Sequence, residues 1–153
     1  AQLASQYLTA YSNPVYAEKF DFSVPNVTIR AVALNCGLYD ARRCAEFQLD
    51  VPFMAYVGEV NEKLLDSLDV MKYSGKDFPP TFVMSACHDF VLENARPMYE
   101  HLTEAGVECQ LKIYGSEEQE EIAHVFHVNI RFPEAEICNN EECDFFKKYI
   151  RIK

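Results

Sequence analysis

The chain has 153 residues, 49% apolar and 13% aromatic, a size and composition that fit one globular domain and exclude a disordered chain. Its formal net charge of −10 argues against nucleic-acid binding, because phosphates require a basic protein surface. No apolar run is long enough to cross a bilayer, so no membrane partner is expected.

The first half of the chain predicts a helix, a strand and a helical segment. Apolar residues recur with helical spacing from Ala1 to Tyr11, and Asn13-Pro14 ends that helix. The run Val27–Leu34 is rich in β-branched and small apolar residues, which predicts a buried strand. Between residues 41 and 77 the pattern is irregular and helical, with turns over 53–57 and a clearer helix over 60–68.

The second half predicts two more strands, each followed by a helix. The apolar run Pro79–Ala86 indicates a fully buried strand, and Glu108–Tyr114 alternates as expected of a strand nearer the sheet edge. We expect Asn94 to cap a helix that ends at Gly106, and Asn140 to cap a terminal helix. Strands that alternate with helices predict a parallel, right-handed α/β sheet.

Asp89 is the first candidate functional residue. It follows the strand that ends at Ala86, at the end of the sheet where open α/β folds hold their sites. A carboxylate there can fix the tautomer of a histidine and stabilise its protonated form. The alternative interpretation is a polar residue that begins a loop or caps a helix. Position alone leaves both open.

His124 is the second candidate. It lies in the loop after the last predicted strand, and a histidine suits general acid–base catalysis because its pKa is close to neutral pH. His127 competes with it, since both belong to the segment His124-Val125-Phe126-His127. His88 is adjacent to Asp89, but neighbouring side chains on an extended segment diverge, so a wall or surface position is expected.

These segments resemble a known family. The run SACHDFV (85–91) resembles the acid-bearing segment of esterase/lipase-type α/β-hydrolases, and HVFH (124–127) resembles their histidine loop. The family pattern, an aromatic two residues after the histidine, fits His124 and not His127. The opening run AQLASQYLTAYSN is similar to the helix that follows the nucleophile turn. The resemblance implies an acid role for Asp89 and a base role for His124.

The nucleophile is missing from the sequence. The 153 residues contain neither a Gly-x-Ser-x-Gly turn nor a His-Gly-Gly run for the oxyanion hole, and no glycine adjoins His124, unlike the family. The resemblance therefore implies that residues 1–153 are the C-terminal portion of one α/β-hydrolase catalytic domain. The segment over 41–77 would be a lid-like helical insertion in a partial α/β-hydrolase fold.

The function implied is carboxylic-ester hydrolysis of the serine esterase or lipase type, with the serine upstream. Two alternatives stay open: a prolyl-oligopeptidase-type serine peptidase, and a non-enzymatic interaction domain with this fold. The expected partners are a small-molecule ester, the upstream half of the same protein and a second copy of the chain. Serine acyl transfer requires no cofactor or metal. Six cysteines without a Cys-x-x-Cys fit reduced thiols, so a cytoplasmic protein is expected.

Overall fold

The structure, a computed structural model, describes residues 1–21, 23–45 and 55–150. Its sheet has three parallel strands in the order β1 (Val32–Asn35), β2 (Thr81–Ala86) and β3 (Cys109–Tyr114). The helices are α1 (Gln2–Ser12), α2 (Pro14–Ala17), α3 (Ala41–Ala45), α4 (Glu62–Leu68), α5 (Val70–Tyr73), α6 (Leu92–Glu104) and α7 (Pro133–Lys147). A 3₁₀ turn covers Phe126–Val128.

The central strand β2 is buried along its whole length, as its continuous apolar sequence predicts. Alternate side chains enter two cores, one on each face of the sheet. Phe82 and Met84 pack on the face covered by α7. Val83 packs on the opposite face with residues of α1 and α6, including Leu8 and Met98.

Strand β1 is shorter than predicted and begins at Val32 rather than Val27. The reason lies in its partner, because β2 begins at Thr81 and that residue pairs with Val32. Pro79 and Pro80 precede β2 and have no N–H to extend the ladder. The prediction over 27–31 was therefore wrong, although its apolar residues do contribute to packing.

Asn94 was predicted to cap α6, but the helix begins two residues earlier, at Leu92. Its side chain instead makes a long-range contact: the buried Oδ1 accepts the N–H groups of Tyr39 and Asp40, at 3.2 and 3.0 Å. This amide ties the segment after β1 to α6. Pro97 consequently lies inside the helix instead of in its first turn.

The terminal helix α7 begins at Pro133 and contains Asn140, so the predicted cap was wrong here too. Proline is well suited to the first helical position because its missing N–H has no partner there in any case. Phe145 lies in the core, as expected, whereas Ile150 is 60% exposed.

The segment over 41–77 is helical where it is described. Helices α3, α4 and α5 belong to it, and the N–H of Val70 bonds the carbonyl of Tyr39 at 3.0 Å. Of the turns expected over 53–57, residues 53 and 54 lie outside the described residues. Among the described helices, none has both the length and the apolar character that a bilayer crossing requires.

Candidate active site

Asp89 lies just beyond the carboxyl end of β2. Its N–H bonds the carbonyl of Ala86 at 3.1 Å, which turns the chain sharply after the strand. The turn keeps the carboxylate at the sheet edge while burying it, so that the residue is only 5% exposed. A buried carboxylate requires hydrogen-bond donors, and the surrounding residues supply them.

Three donors engage the Asp89 carboxylate. His124 Nδ1 lies 2.8 Å from Oδ1, and the N–H of Val91 donates to the same oxygen at 3.0 Å. The hydroxyl of Ser85 donates to Oδ2 at 2.7 Å. Both interpretations of Asp89 in the sequence therefore apply: it turns the chain toward α6, and it bonds the candidate histidine.

The loop that carries His124 is held on both sides. His88 pairs with Ala123 in an isolated bridge, and its ring nitrogen lies 3.1 Å from the carbonyl oxygens of Ser116 and Glu117. His88 is thus a surface residue, as expected, and it fixes the start of the histidine loop. On the other side the ring of Phe126 is buried, which holds the residues after His124 against the sheet.

His124 presents one ring nitrogen to Asp89 and keeps the other available. Its side chain is 34% exposed, and no described residue forms a hydrogen bond with Nε2. The half-exposed ring of Phe90 packs on it with the two centroids 4.3 Å apart. Because Nδ1 donates to the carboxylate, the lone pair in the neutral ring lies on Nε2.

His127 lies outside this arrangement. Its Nε2 is 3.4 Å from the amide nitrogen of Asn35, and its Nδ1 is buried without a hydrogen-bond partner among the described residues. Burial lowers the pKa of His127, and the nearby carboxylate of Glu142 opposes that shift only in part. The structure therefore brings His124, and not His127, to Asp89.

Sequence reasoning missed two side chains at this site. Ser85 falls within the predicted strand Pro79–Ala86 and Cys36 just after the predicted strand Val27–Leu34, so neither is a candidate from its position alone. The sulfur of Cys36, a carboxylate oxygen of Asp89 and a ring nitrogen of His124 all lie within 4.8 Å of one another, a spacing that metal sites also use. Here the two Asp89 carboxylate oxygens already bond His124 and Ser85. The signal in the sequence that could have pointed to Cys36 and Ser85 is their position at the carboxyl ends of predicted strands.

Neither a protein-family model nor a curated protein matches this sequence. Solved structures do match it. Esterase B from Lactobacillus rhamnosis (HN001) aligns with 97% of this chain and 49% of its own, at a TM-score of 0.81 and 22% identity. The same esterase inhibited by a C4-C4 SN3 tributyrin phosphonate aligns over 97% and 48%, at a TM-score of 0.81 and 20% identity. An acetyl ester-xyloside bifunctional hydrolase from Caldicellulosiruptor lactoaceticus aligns over 94% and 53%, at a TM-score of 0.64 and 22% identity.

The chain has the fold of the matching half of these α/β-hydrolase esterases. The predicted fold class, parallel strands alternating with helices, is confirmed, and the chain spans about half the length of the esterases it matches. In α/β-hydrolases the triad residues follow one another along the chain as serine, acid and histidine. Asp89 and His124 occur in that order, each beyond the end of a strand. Their catalytic roles remain a prediction.

Proposed function

We propose that this chain supplies the acid and the base of a Ser-Asp-His triad in a carboxylic-ester hydrolase. Asp89 is the acid, His124 is the base, and the serine precedes Ala1 in the intact protein. The observation that carries the proposal is the 2.8 Å hydrogen bond from His124 Nδ1 to a buried carboxylate. It leaves Nε2 facing outward at the carboxyl end of a parallel sheet, where a substrate can be held.

The first half of the reaction follows from this hydrogen bond. His124 Nε2 accepts the proton of the serine hydroxyl while the serine oxygen attacks the ester carbonyl carbon. The imidazole becomes positively charged, and the Asp89 carboxylate stabilises that charge without taking the proton. His124 then gives the proton to the departing alcohol, and an acyl-serine remains.

The second half uses the same residues with water in place of serine. Nε2 removes a proton from the water as it attacks the acyl carbon, and the proton then returns to the serine oxygen. The acid is released and His124 is neutral again. Because one side chain acts as base and then acid in each half, the Asp89–His124 geometry has to be stable through the cycle.

The serines of the described chain do not suit the role of nucleophile. Ser85 lies next to the site, but its side chain is fully buried and bonds the carboxylate on the side away from Nε2.

We propose a small acyl group, such as acetyl, on a carbohydrate or similar alcohol as the substrate class. Two of the structural neighbours are an acetyl ester-xyloside hydrolase and an esterase that a tributyrin phosphonate inhibits. Acetyl and butyryl are both short acyl groups. The exposed ring of Phe90 beside His124 offers an apolar surface for such a group.

The test uses the intact protein and a serine-directed phosphonate. We expect hydrolysis of an activated acetyl ester, loss of that activity on labelling, and the label on a serine upstream of Ala1 in a Gly-x-Ser-x-Gly turn. The chain 1–153 by itself should show no turnover, since it lacks such a serine. A label on one of its own serines together with turnover would overturn the assignment.

Two other outcomes correspond to the alternatives. Cleavage of a prolyl anilide in preference to the acetyl ester would favour a peptidase of the prolyl-oligopeptidase type. An intact protein that neither reacts with the phosphonate nor contains an upstream Gly-x-Ser-x-Gly turn would favour a non-enzymatic interaction domain. Both outcomes would contradict ester hydrolysis as the function.

A further inference from the structure

Cys36 lies where the ends of the strands meet the histidine loop. It directly follows β1, is 5% exposed, and its N–H bonds the carbonyl of Met84 on the neighbouring strand at 2.8 Å. Its sulfur accepts the N–H of Val125 at 3.3 Å and lies within 4.8 Å of a carboxylate oxygen of Asp89. One side chain thus lies beside the acid and bonds the loop that carries the base.

The backbone on both sides of the N–H···S contact has an unusual conformation. Cys36 has a φ of 52° and Val125 a φ of 54°, and both values lie in the left-handed region that favours glycine. For a β-branched residue such as Val125 this conformation is rare, and it persists only where surrounding contacts hold it. Val125 is the residue directly after His124, so its conformation sets the path by which the chain leaves the histidine.

We propose that Cys36 is a positioning residue for the Asp89–His124 pair. Its sulfur holds the N–H of Val125 and thereby the left-handed turn after His124, within 4.8 Å of the carboxylate that His124 bonds. This inference deepens the proposed function and rests on it: the ester hydrolase needs a histidine held in one orientation through two proton transfers.

The thiol form is the one that fits this role. Burial raises the pKa of Cys36, and the nearby Asp89 carboxylate raises it further. A neutral thiol accepts the N–H of Val125 and adds no second negative charge beside the carboxylate. A thiolate would instead face the carboxylate as a second negative charge, with no proton between them.

The kinetic test compares three variants of the intact protein. Cys36→Ala removes the acceptor of the Val125 N–H, and we expect kcat to fall about 10- to 100-fold with little change in KM, as for a misplaced catalytic group. Cys36→Ser keeps a donor and an acceptor on a shorter bond, so it should recover part of the loss. Cys109→Ala is the matched control, because that half-buried thiol lies at the start of β3, at the opposite end of the sheet.

A second measurement reports position directly. The Val125 amide should exchange its hydrogen faster in Cys36→Ala than in the wild type, and at the wild-type rate in Cys109→Ala, because only the first change removes the acceptor. If Cys36→Ala does not fold, Cys36→Ser is compared with the wild type instead. Its Val125 amide should also exchange faster than in the wild type, by a smaller factor.

The outcomes separate this inference from the proposed function. An active intact protein whose Cys36→Ala variant keeps the wild-type kcat would overturn the positioning role. Equal losses in the alanine and serine variants, with a changed KM, would indicate packing alone and would also overturn it. If the wild-type protein hydrolyses no ester, the proposed function fails. The positioning role is then tested by hydrogen exchange alone, and an unchanged Val125 exchange rate in Cys36→Ala would reject it.

Discussion

Ser85 and Asp89 form a buried hydrogen-bonded pair across the end of β2. The hydroxyl of Ser85 donates to Oδ2 of Asp89 at 2.7 Å, so the oxygen that does not face His124 also has a donor. Both residues are buried, Ser85 at 0% and Asp89 at 5% exposure. The carboxylate is therefore fixed from two sides, and its orientation does not depend on the histidine alone.

The first prediction concerns this pair. Ser85→Ala leaves Oδ2 without its donor in a buried position, and the free energy of unfolding should fall by about 1–3 kcal/mol. In the intact protein kcat should fall while KM stays the same, because the carboxylate gains freedom to turn. Chemical denaturation and steady-state kinetics measure the two effects.

Ser74→Ala is the matched control for that variant. Ser74 is also a buried serine, but its hydroxyl has no hydrogen-bond partner among the described residues. Removing a buried polar atom without a partner should be neutral or stabilising. If Ser74→Ala destabilises the protein as much as Ser85→Ala, the loss at Ser85 reflects general packing and not its bond to Asp89.

The second prediction separates the two histidines of the loop. In the intact protein, His124→Ala should lower kcat by about 10³- to 10⁶-fold, the range for triad residues. Asp89→Asn should lower it about 10⁴-fold, because an amide in place of the carboxylate favours the wrong histidine tautomer. Steady-state kinetics on the acetyl ester measure both.

His127→Ala is the control for the second prediction. His127 has no hydrogen bond to Asp89 or to the residues that donate to Asp89. Its replacement should therefore leave kcat close to the wild-type value even if stability decreases. An essential His127 together with a dispensable His124 would show that the histidine assignment is wrong.

The position of Asp89 could be read from the sequence because two simple patterns meet there. A continuous apolar run predicts a buried strand, and a carboxylate directly after it falls at the sheet edge. His124 follows from chain order and from the family resemblance. The 2.8 Å distance between His124 Nδ1 and Asp89 Oδ1 could not be read from either pattern, because it depends on how the loop after β3 folds back over β2.

The roles of several other polar residues could not be read in this way. Asn94 and Asn140 have side chains typical of helix caps, yet one bonds a distant loop and the other lies within α7. Asparagine bonds local and remote backbone groups equally well, so sequence alone does not separate the two. Cys36 and Ser85 look like ordinary strand residues. Cys36 bonds a loop 89 residues further along the chain, and Ser85 bonds Asp89 because the chain turns sharply after β2.

The third prediction concerns pH and an ion cluster in the helical segment. Asp66 bonds Lys19 at 2.8 Å, contacts Lys72 even more closely, and accepts the hydroxyl of Tyr73 at 2.7 Å. The hydrogen bond from Lys19, followed by those from Lys72 and Tyr73, lowers the pKa of Asp66 well below its usual value. A depressed pKa in the folded state stabilises the protein above the unfolded-state pKa of about 3.9 and loses this effect as pH falls.

Asp66→Asn should therefore reduce the free energy of unfolding at neutral pH, and this difference from the wild type should shrink as the pH falls below about 4. Denaturation curves at several pH values measure it. Asp144→Asn serves as the control, because Asp144 pairs with Lys147 on the surface, where both side chains are 71% exposed. A surface pair contributes little to stability. Equal pH dependence in both variants would contradict a specific role for Asp66.

The last prediction concerns the open edge of β1. Among the described residues β1 pairs only with β2, and the N–H groups of Val32 and Cys36 point to that strand. The N–H of Ala33 therefore points to the open side, since alternate N–H groups in a strand face opposite neighbours. Nearby, Ala31 and Phe146 line an open cavity of about 600 Å³. An unpaired edge beside apolar surface favours pairing with another chain.

We expect the chain 1–153 to self-associate through this edge unless the upstream half of the protein covers it. Sedimentation at several concentrations should show a dimer or larger species, and Ala33→Pro should shift it toward monomer, because proline removes the outward N–H and leaves the β1–β2 ladder intact. Unchanged circular dichroism in Ala33→Pro is the control for folding. A compact monomer of 17.6 kDa at every concentration would contradict the prediction, and it would mean that the four residues of β1 are too short an edge to recruit a partner.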